Sequence, residues 1–154
     1  MVLMKKTIAK ETALAEITLR RYEKPTKVSE REIVRKLCLS LGLLQPGDSR
    51  DVIVDILAIM VKARHDKKLL SSEDIEKEVI EHRKKHKLVM RGIASSNIRR
   101  QIRRLRDIYL VEKIKSQYRL TEFESIRTIF EQKIERYYLQ SILERVKEYA
   151  EMVK

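Results

Sequence analysis

The sequence has few of the residues that make tight turns, only one cysteine and no tryptophan. Three Gly and two Pro occur in 154 residues, which argues against a strand-rich fold with many tight turns. The single Cys38 cannot form an intramolecular disulfide, and its leucine-rich surroundings predict a buried, unreactive thiol. The chain also lacks a run of about 18 apolar residues and a secretory signal pattern. We therefore expect a mainly helical protein that is soluble and cytoplasmic.

Motifs that indicate an enzyme are absent as well. The sequence contains no Gly-rich phosphate-binding loop, no Ser-x-x-Lys motif and no Gly-x-Ser-x-Gly motif. His82 and His86 lie four residues apart and follow Glu78, a spacing that can hold a divalent metal, but the His-Glu-x-x-His signature is missing. We therefore expect no catalytic residue, no cofactor and no bound metal, and we interpret these histidines as titratable surface groups.

The residues that are present suit a single core with charged helices around it. A chain of 154 residues with 43% apolar content can bury one sizeable core. Charged residues make up 38% of the chain, which is typical of helices with a solvated face. Asn and Gln total six, against 35 Lys plus Arg and 23 Asp plus Glu, a composition that resembles thermophile proteins.

Acidic residues are missing from one segment, residues 83–106, which contains ten Lys or Arg and no Asp or Glu. These ten residues account for most of the formal net charge of +12. Within the segment, Ile98, Ile102 and Leu105 have helical spacing and lie within about 60° of one another at about 100° per residue. The remaining arc of this helix is polar and rich in arginine. Such a surface is suited to a polyanion.

Local signals predict the other helices. Residues 7–22 are dense in helix-forming residues, and Pro25 lies just beyond them. A strongly apolar helix follows the Pro46-Gly47 turn, and a helix of about thirty residues closes the chain at Lys154. Gly42 is a predicted C-terminal cap. The predicted N-caps, in chain order, are Ser29 with Glu32, Asp48 or Ser49, Ser71 or Ser72, Ser95 or Ser96, and Thr121 with Glu124.

After the arginine-rich helix, residues 110–114 and 118–121 are predicted to form a short hairpin. This order of elements over residues 53–121 resembles the winged helix-turn-helix superfamily of prokaryotic and archaeal transcription regulators. The resemblance rests on Leu70-Ser71-Ser72-Glu73-Asp74-Ile75, on Ser95-Ser96-Asn97-Ile98, on Leu110-Val111-Glu112 and on Tyr118-Arg119-Leu120-Thr121. The chain departs from the superfamily in two places. Asp107-Ile108-Tyr109 replaces the usual Gly before the first hairpin strand, and residues 87–94 form a long connection, either an extended loop or a short strand through Leu88 and Val89.

Major-groove recognition by one helix implies two sets of contacts with double-stranded DNA. On the recognition helix, Arg can pair with guanine and Asn with adenine, and the residues nearer its C-terminal end contact phosphate. The predicted recognition-helix contacts are Ser95, Ser96, Asn97, Arg99, Arg100, Arg103, Arg104 and Arg106. The predicted wing and flanking contacts are Lys113, Lys115, Ser116, Gln117, Lys84, Lys85, Lys87 and Arg91.

The predicted organisation is an N-terminal helical extension at residues 1–48, a winged helix-turn-helix domain at residues 49–121 and a C-terminal helix at residues 122–154. Heptad spacing on that last helix predicts a homodimer interface formed by Leu139, Ile142, Val146, Tyr149 and Val153. The predicted function is sequence-specific DNA binding as a nucleoid-associated transcription regulator. Two alternatives remain open: an architectural or protein-assembly module without sequence specificity, and an RNA-binding module, which the low aromatic content disfavours.

Overall fold

The computed structural model of the protein describes residues 11–154, and most of this part of the chain is helical. The helices are α1 (Glu30–Ser40), α2 (Val52–His65), α3 (Ser72–Lys85), α4 (Ser95–Asp107), a 3₁₀ turn (Thr121–Phe123), α5 (Ile126–Ile129), a π-helical segment (Phe130–Leu139) and α6 (Gln140–Met152). The strands are β1 (Leu70–Ser71), β2 (Val111–Ile114) and β3 (Gln117–Leu120). The predicted class, mainly α with a small β-hairpin, is thus confirmed. No helix in residues 11–154 is long and apolar enough to cross a membrane.

The three strands form one antiparallel sheet in the order β1, β3, β2. The predicted hairpin is confirmed with a small change at its tip. Gln117 pairs with Ile114, so the turn consists of Lys115 and Ser116 only. The sequence did not predict β1, because two residues are too short to show the period-two alternation of a strand. Leu70 pairs with Tyr118 and so connects the start of α3 to the hairpin.

The core is built around α2, which is buried along almost its whole length. Helices α1, α3 and α4 all pack against it. The apolar stripe predicted for α4 is confirmed, because Ile98, Ile102 and Leu105 are each at most 1% exposed. Each such side chain contributes about 1.5–3 kcal/mol on burial. This packing fixes the rotation of α4 and turns four of its five arginines, all except Arg104, away from the core.

The four helices α1 to α4 all end in the same backbone arrangement, the Schellman motif. Gly42 ends α1 with φ of +70°, its N–H donates to Leu39 O, and the Leu43 N–H donates to Cys38 O. The predicted glycine cap of α1 is therefore confirmed. In α2, α3 and α4 the equivalent left-handed residues are Lys67, Lys87 and Tyr109, with φ of 48°, 53° and 65°.

The predicted first helix at residues 7–22 is wrong for residues 11–22, which are not helical, and its first four positions lie outside the described residues. Two tertiary hydrogen bonds connect the backbone of this non-helical segment to later parts of the chain. The Arg20 N–H donates to Ser40 O at 2.9 Å, and the Glu16 N–H donates to the Tyr138 hydroxyl at 2.8 Å. Leu14, an apolar residue of this segment, is 94% exposed. The N-terminal extension at residues 1–48 thus contains one described helix, α1.

Two other predicted N-caps also differ from the structure. Helix α2 starts after Asp51 and not after Asp48 or Ser49. Asp48 accepts the Arg50 N–H at 3.0 Å instead of capping the helix. Helix α4 starts after Ala94, and no side chain caps it. By contrast, the caps at Ser29 and Ser71 are confirmed.

The predicted capping box of Thr121 with Glu124 is wrong. The Thr121 hydroxyl donates to Tyr109 O and Thr121 is buried, so Ser125 caps the last helix. The C-terminal helix, defined as α5, the π-helical segment and α6, therefore runs from Ile126 to Met152. The sequence did not predict its π-helical segment, because that conformation is rare.

Residues 86–94 form a loop without a strand, which settles the connection left open between α3 and α4. The loop begins at the left-handed Lys87 and is held by the Arg83 side chain, whose Nε and Nη2 donate to Val89 O at 2.9 and 2.6 Å. Gly92 has φ of +75°, and a Cβ there would lie 3.1 Å from Val52 Cγ2. This close approach positions the first turn of α4 against the start of α2.

Candidate nucleic-acid interface

The outer face of α4 carries exposed arginines. Because Ile98, Ile102 and Leu105 face the core, the residues between them, except the half-buried Gln101 and Arg104, point to solvent. The exposed residues of α4 in the predicted contact set are Ser95, Ser96, Arg99, Arg100, Arg103 and Arg106. Like charges four apart, such as Arg99 with Arg103, repel each other and disfavour the isolated helix. Such a face is stabilised when an anionic partner binds.

Three predicted contact residues of α4 are engaged within the protein. Asn97 Nδ2 donates to Gly92 O at 2.7 Å, and Asn97 Oδ1 accepts from Gln101 at 3.1 Å. Arg104 Nη2 donates to Leu43 O at 2.8 Å, so Arg104 lies against the connection between α1 and α2. The Ser95 hydroxyl donates to Glu76 Oε2 at 2.9 Å. The geometry therefore does not favour base contact by Asn97 or phosphate contact by Arg104.

The hairpin, the end of α3 and the loop before α4 supply further exposed polar and basic residues. Every predicted wing and flanking residue is exposed: Lys113, Lys115, Ser116, Gln117, Lys84, Lys85, Lys87 and Arg91. The turn residue Lys115 is at the tip of the hairpin, with φ of 47°. Lys113 Nζ lies 5.9 Å from the centre of the Tyr118 ring, which stabilises the cation on β2.

Arg83 differs from the other basic residues of the acid-free segment because it is 2% exposed. Its Nη1 lies 3.0 Å from Asp51 Oδ1 and 2.7 Å from Asp55 Oδ2. Arg31 approaches the same two carboxylates from α1, at 3.0 and 3.2 Å. Arg83 therefore adds no charge to the exposed surface, although it lies in the basic segment 83–106, because its charge is neutralised inside the protein.

The ion-pair network of Arg31, Asp51, Asp55 and Arg83 connects three helices to the loop before α4. Burial opposes ionisation of Asp51, but hydrogen bonds from Arg31 and Arg83 outweigh it and lower the pKa of this carboxyl. Asp55 is fully buried and also lies 2.6 Å from His82 Nδ1. No buried side-chain polar atom in residues 11–154 lacks a hydrogen-bond partner. The network thus fixes the loop that leads into α4.

Sequence reasoning missed this network, although a signal for it was present. Asp51 and Asp55 lie four residues apart at the start of an otherwise apolar helix, and buried carboxylates require cationic partners. The positions of those partners were not predictable from local spacing.

His82 and His86, considered above as metal ligands, have other contacts. His82 faces Asp55, and the rings of His82 and His86 lie 4.3 Å apart. No group of three or more His, Cys, Asp or Glu in the described part of the chain is arranged to hold a metal ion. Cys38 is fully buried, and burial raises the pKa of its thiol to about 12. The prediction of a buried thiol is therefore confirmed.

The predicted dimer residues lie on the part of the C-terminal helix that extends beyond the core. Leu139 and Ile142 are half-buried, whereas Val146, Tyr149 and Val153 are 61%, 67% and 79% exposed. Helix α6 contains no buried residue. Val153 follows the last helical residue and has an extended backbone, so the heptad pattern ends at Tyr149.

The chain matches no protein-family model, no curated protein and no solved structure. The candidate interface therefore depends on the chemistry and placement of its own residues.

Proposed function

We propose that this protein binds double-stranded DNA as a winged helix-turn-helix transcription regulator. In this proposal α3 and α4 form the helix-turn-helix, α4 is the recognition helix, and the hairpin of β2 and β3 is the wing. The order of α2, β1, α3, α4 and the hairpin is compatible with this superfamily. The short strand β1, which pairs with β3, supports the proposal because it joins the helix-turn-helix to the wing.

The observation that carries the proposal is the exposed arginine face of α4. Arg99, Arg100, Arg103 and Arg106 are exposed, and none pairs with a carboxylate within residues 11–154. A major groove admits one α-helix, and residues near its N-terminal end contact base edges. Arg99, Arg100 and Ser96 are therefore assigned to base contacts, and Arg103 to a base or a nearby phosphate. Arg106 and the wing lysines are assigned to phosphates.

The test is a titration of duplex DNA against the protein and its Arg99→Ala/Arg103→Ala variant. The binding sites would first be selected from genomic fragments. Each lost base contact costs about 1–3 kcal/mol, so the double variant should bind at least roughly thirty-fold more weakly. If six cations contact phosphate, the slope of log affinity against log salt should be roughly −5. Retained affinity in the variant, or affinity independent of salt, would contradict the proposal.

The matched control is Arg127→Ala/Arg145→Ala, which removes two exposed arginines of the C-terminal helix. Both are in exposed ion pairs, with Glu131 and Glu148. Their loss should change DNA affinity by no more than about two-fold, because exposed ion pairs contribute little to the stability of the fold. An equal loss in both double variants would indicate a general charge effect and not a recognition helix.

We also propose that two copies pair through the C-terminal helices. The support is the exposed apolar side chains of α6, which no part of the described chain covers. A two-fold pair would place two α4 helices in successive major grooves, roughly 34 Å apart. The architectural alternative predicts the same pairing without sequence preference. Equal affinity for selected and unrelated duplexes would favour it.

A further inference from the structure

A groove separates the C-terminal half of α4 from the hairpin and the C-terminal helix. Its volume is about 920 Å³. Arg103 and Arg106 line it from α4, Lys113 lines it from β2, and Lys133 and Tyr137 line it from the π-helical segment. The consecutive elements α4 and β2 and the later π-helical segment thus bring four cations to one concave surface.

The charge of this groove is positive after its internal contacts are counted. Glu112 also lines the groove, but its Oε1 accepts from Arg119 Nε at 2.7 Å and from the Glu122 N–H at 3.0 Å. Asp107 is the remaining carboxylate. No salt bridge of the described residues involves any of the four cations. An anionic ligand would therefore find cations that are not already neutralised.

The far wall of the groove is held in place by aromatic contacts. The Tyr109 ring lies 6.0 Å from the Tyr137 ring and 5.6 Å from the Tyr138 ring, in edge-to-face arrangements. Ile134 is fully buried and fixes the same turn of helix against the core. Lys133, which is half-buried, is thus presented from a rigid support. Tyr137 is 62% exposed at the rim.

The groove is continuous with the proposed recognition surface. Arg103 and Arg106 belong both to the exposed face of α4 and to the groove wall. A duplex that places its major groove on α4 must carry a phosphate backbone past the end of that helix and along the wing. The groove occupies the space between these two elements.

We infer that the groove holds a phosphodiester segment of the bound duplex, with Lys133 of the C-terminal helix as a phosphate contact. This inference rests on the proposed function and extends it. It assigns the C-terminal helix two roles, DNA contact through the π-helical segment and pairing through α6. Phosphate contacts carry no sequence information, so Lys133 contributes affinity and orientation but not specificity.

The test compares Lys133→Gln, Lys133→Arg and the control Lys147→Gln for binding to the same duplex. Lys147 is an exposed lysine of α6 outside the groove. Lys133→Gln should weaken binding roughly five-fold for selected and unrelated duplexes alike, and the salt slope should decrease in magnitude by about 0.9. Lys133→Arg should retain the slope of the unmodified protein, and Lys147→Gln should leave both quantities unchanged.

Several outcomes would overturn the inference. An unchanged salt slope in Lys133→Gln would contradict it. An equal loss of duplex affinity in Lys147→Gln would also contradict it. A loss in Lys133→Arg as large as that in Lys133→Gln would show that the position acts through packing. If Arg99→Ala/Arg103→Ala abolishes binding while Lys133→Gln has no effect, the assignment of the groove to a phosphodiester segment is wrong and the proposed function stands. If the unmodified protein does not bind duplex DNA at low salt, or prefers single-stranded RNA, both proposals are wrong.

Discussion

At the scale of single residues, Arg83 shows that charge in a sequence does not establish charge on a surface. It lies in the acid-free segment, yet its guanidinium is buried between Asp51 and Asp55. Its two carboxylate partners are about thirty positions earlier in the chain. The same side chain donates to Val89 O and so connects the core to the loop before α4. Arg83 therefore positions the loop that leads into α4, and its guanidinium is not available to an anionic partner.

We expect Asp55→Ala to destabilise the protein by about 3–5 kcal/mol, because it leaves buried cations without their partner. Asp55 is fully buried and contacts Arg31, Arg83 and His82. Urea unfolding gives the free energy of unfolding for each variant. Glu81→Ala, which changes an exposed carboxylate of α3, should stay within about 0.5 kcal/mol of the unmodified protein. A similar small effect at Asp55 would show that the network is energetically neutral.

Asp51 should make stability depend on acid. Its pKa is lowered in the folded state, since the cations outweigh the burial that opposes ionisation. The unfolded carboxyl has a pKa of about 3.9, so the contribution is present above about pH 4 and is lost as pH falls through the folded pKa. Urea unfolding between about pH 2 and pH 7 should show a smaller loss on acidification for Asp51→Asn. Parallel curves for the two proteins would contradict this assignment.

At the scale of elements, the ends of the helices carry a common strain. Four successive helices end in a Schellman motif, but only α1 has Gly at the left-handed position. The left-handed conformation costs about 1–2 kcal/mol for a residue with a Cβ. At Tyr109 the ring offsets this cost through its contacts with Tyr137 and Tyr138. Tyr109 thus replaces a flexible cap with one that also orients the C-terminal helix.

Lys67→Gly should stabilise the protein by about 0.5–1 kcal/mol. Lys67 has φ of 48°, and glycine removes the left-handed strain there from the folded state. This gain in free energy exceeds the loss caused by the higher conformational entropy of the unfolded chain. The opposite change, Gly42→Ala, should be destabilising, because its Cβ would lie 2.7 Å from Thr18 Cβ.

Gly47→Ala is the matched control for Gly42→Ala, since Gly47 also has positive φ but has no atom near the added Cβ. Thermal melts of the three variants would compare them directly. Equal losses of thermal stability at Gly42 and Gly47 would show that the close approach of Thr18 to Gly42 contributes nothing to stability. A loss on Lys67→Gly would contradict the strain argument.

At the scale of the whole molecule, the C-terminal helix connects the proposed interface to the proposed dimer contact. Ile129 and Ile134 anchor it to the core, and Tyr138 contacts the N-terminal segment at Glu16. Beyond these contacts, α6 extends with its apolar side chains exposed. The spacing of two α4 helices in a dimer would therefore depend on a helix that is rigid at its start and unpartnered at its end.

Val146→Glu should shift the protein from dimer to monomer, because it places a charge within the apolar face of α6. Sedimentation equilibrium over a range of concentrations gives the dimer dissociation constant, which should rise by at least about ten-fold. Ser141→Glu adds the same charge at an exposed position on the other side of the helix and should have little effect. If the unmodified protein and Val146→Glu are both monomeric at every concentration, the pairing of α6 is refuted.

The sequence by itself determined the parts of this protein that depend on short-range patterns. A capping signal predicted the start of α3, and helical spacing over a few residues predicted α4 and its buried stripe. The same spacing predicted that Arg99, Arg103 and Arg106 face solvent. Tertiary structure alone decided the rest. Residues 11–22 are not helical, and two of their backbone N–H groups donate to Ser40 and Tyr138 instead. Arg83 is buried because two distant carboxylates pair with it. The groove at Lys133 likewise exists only because α4, β2 and the C-terminal helix meet in space, which no local periodicity encodes.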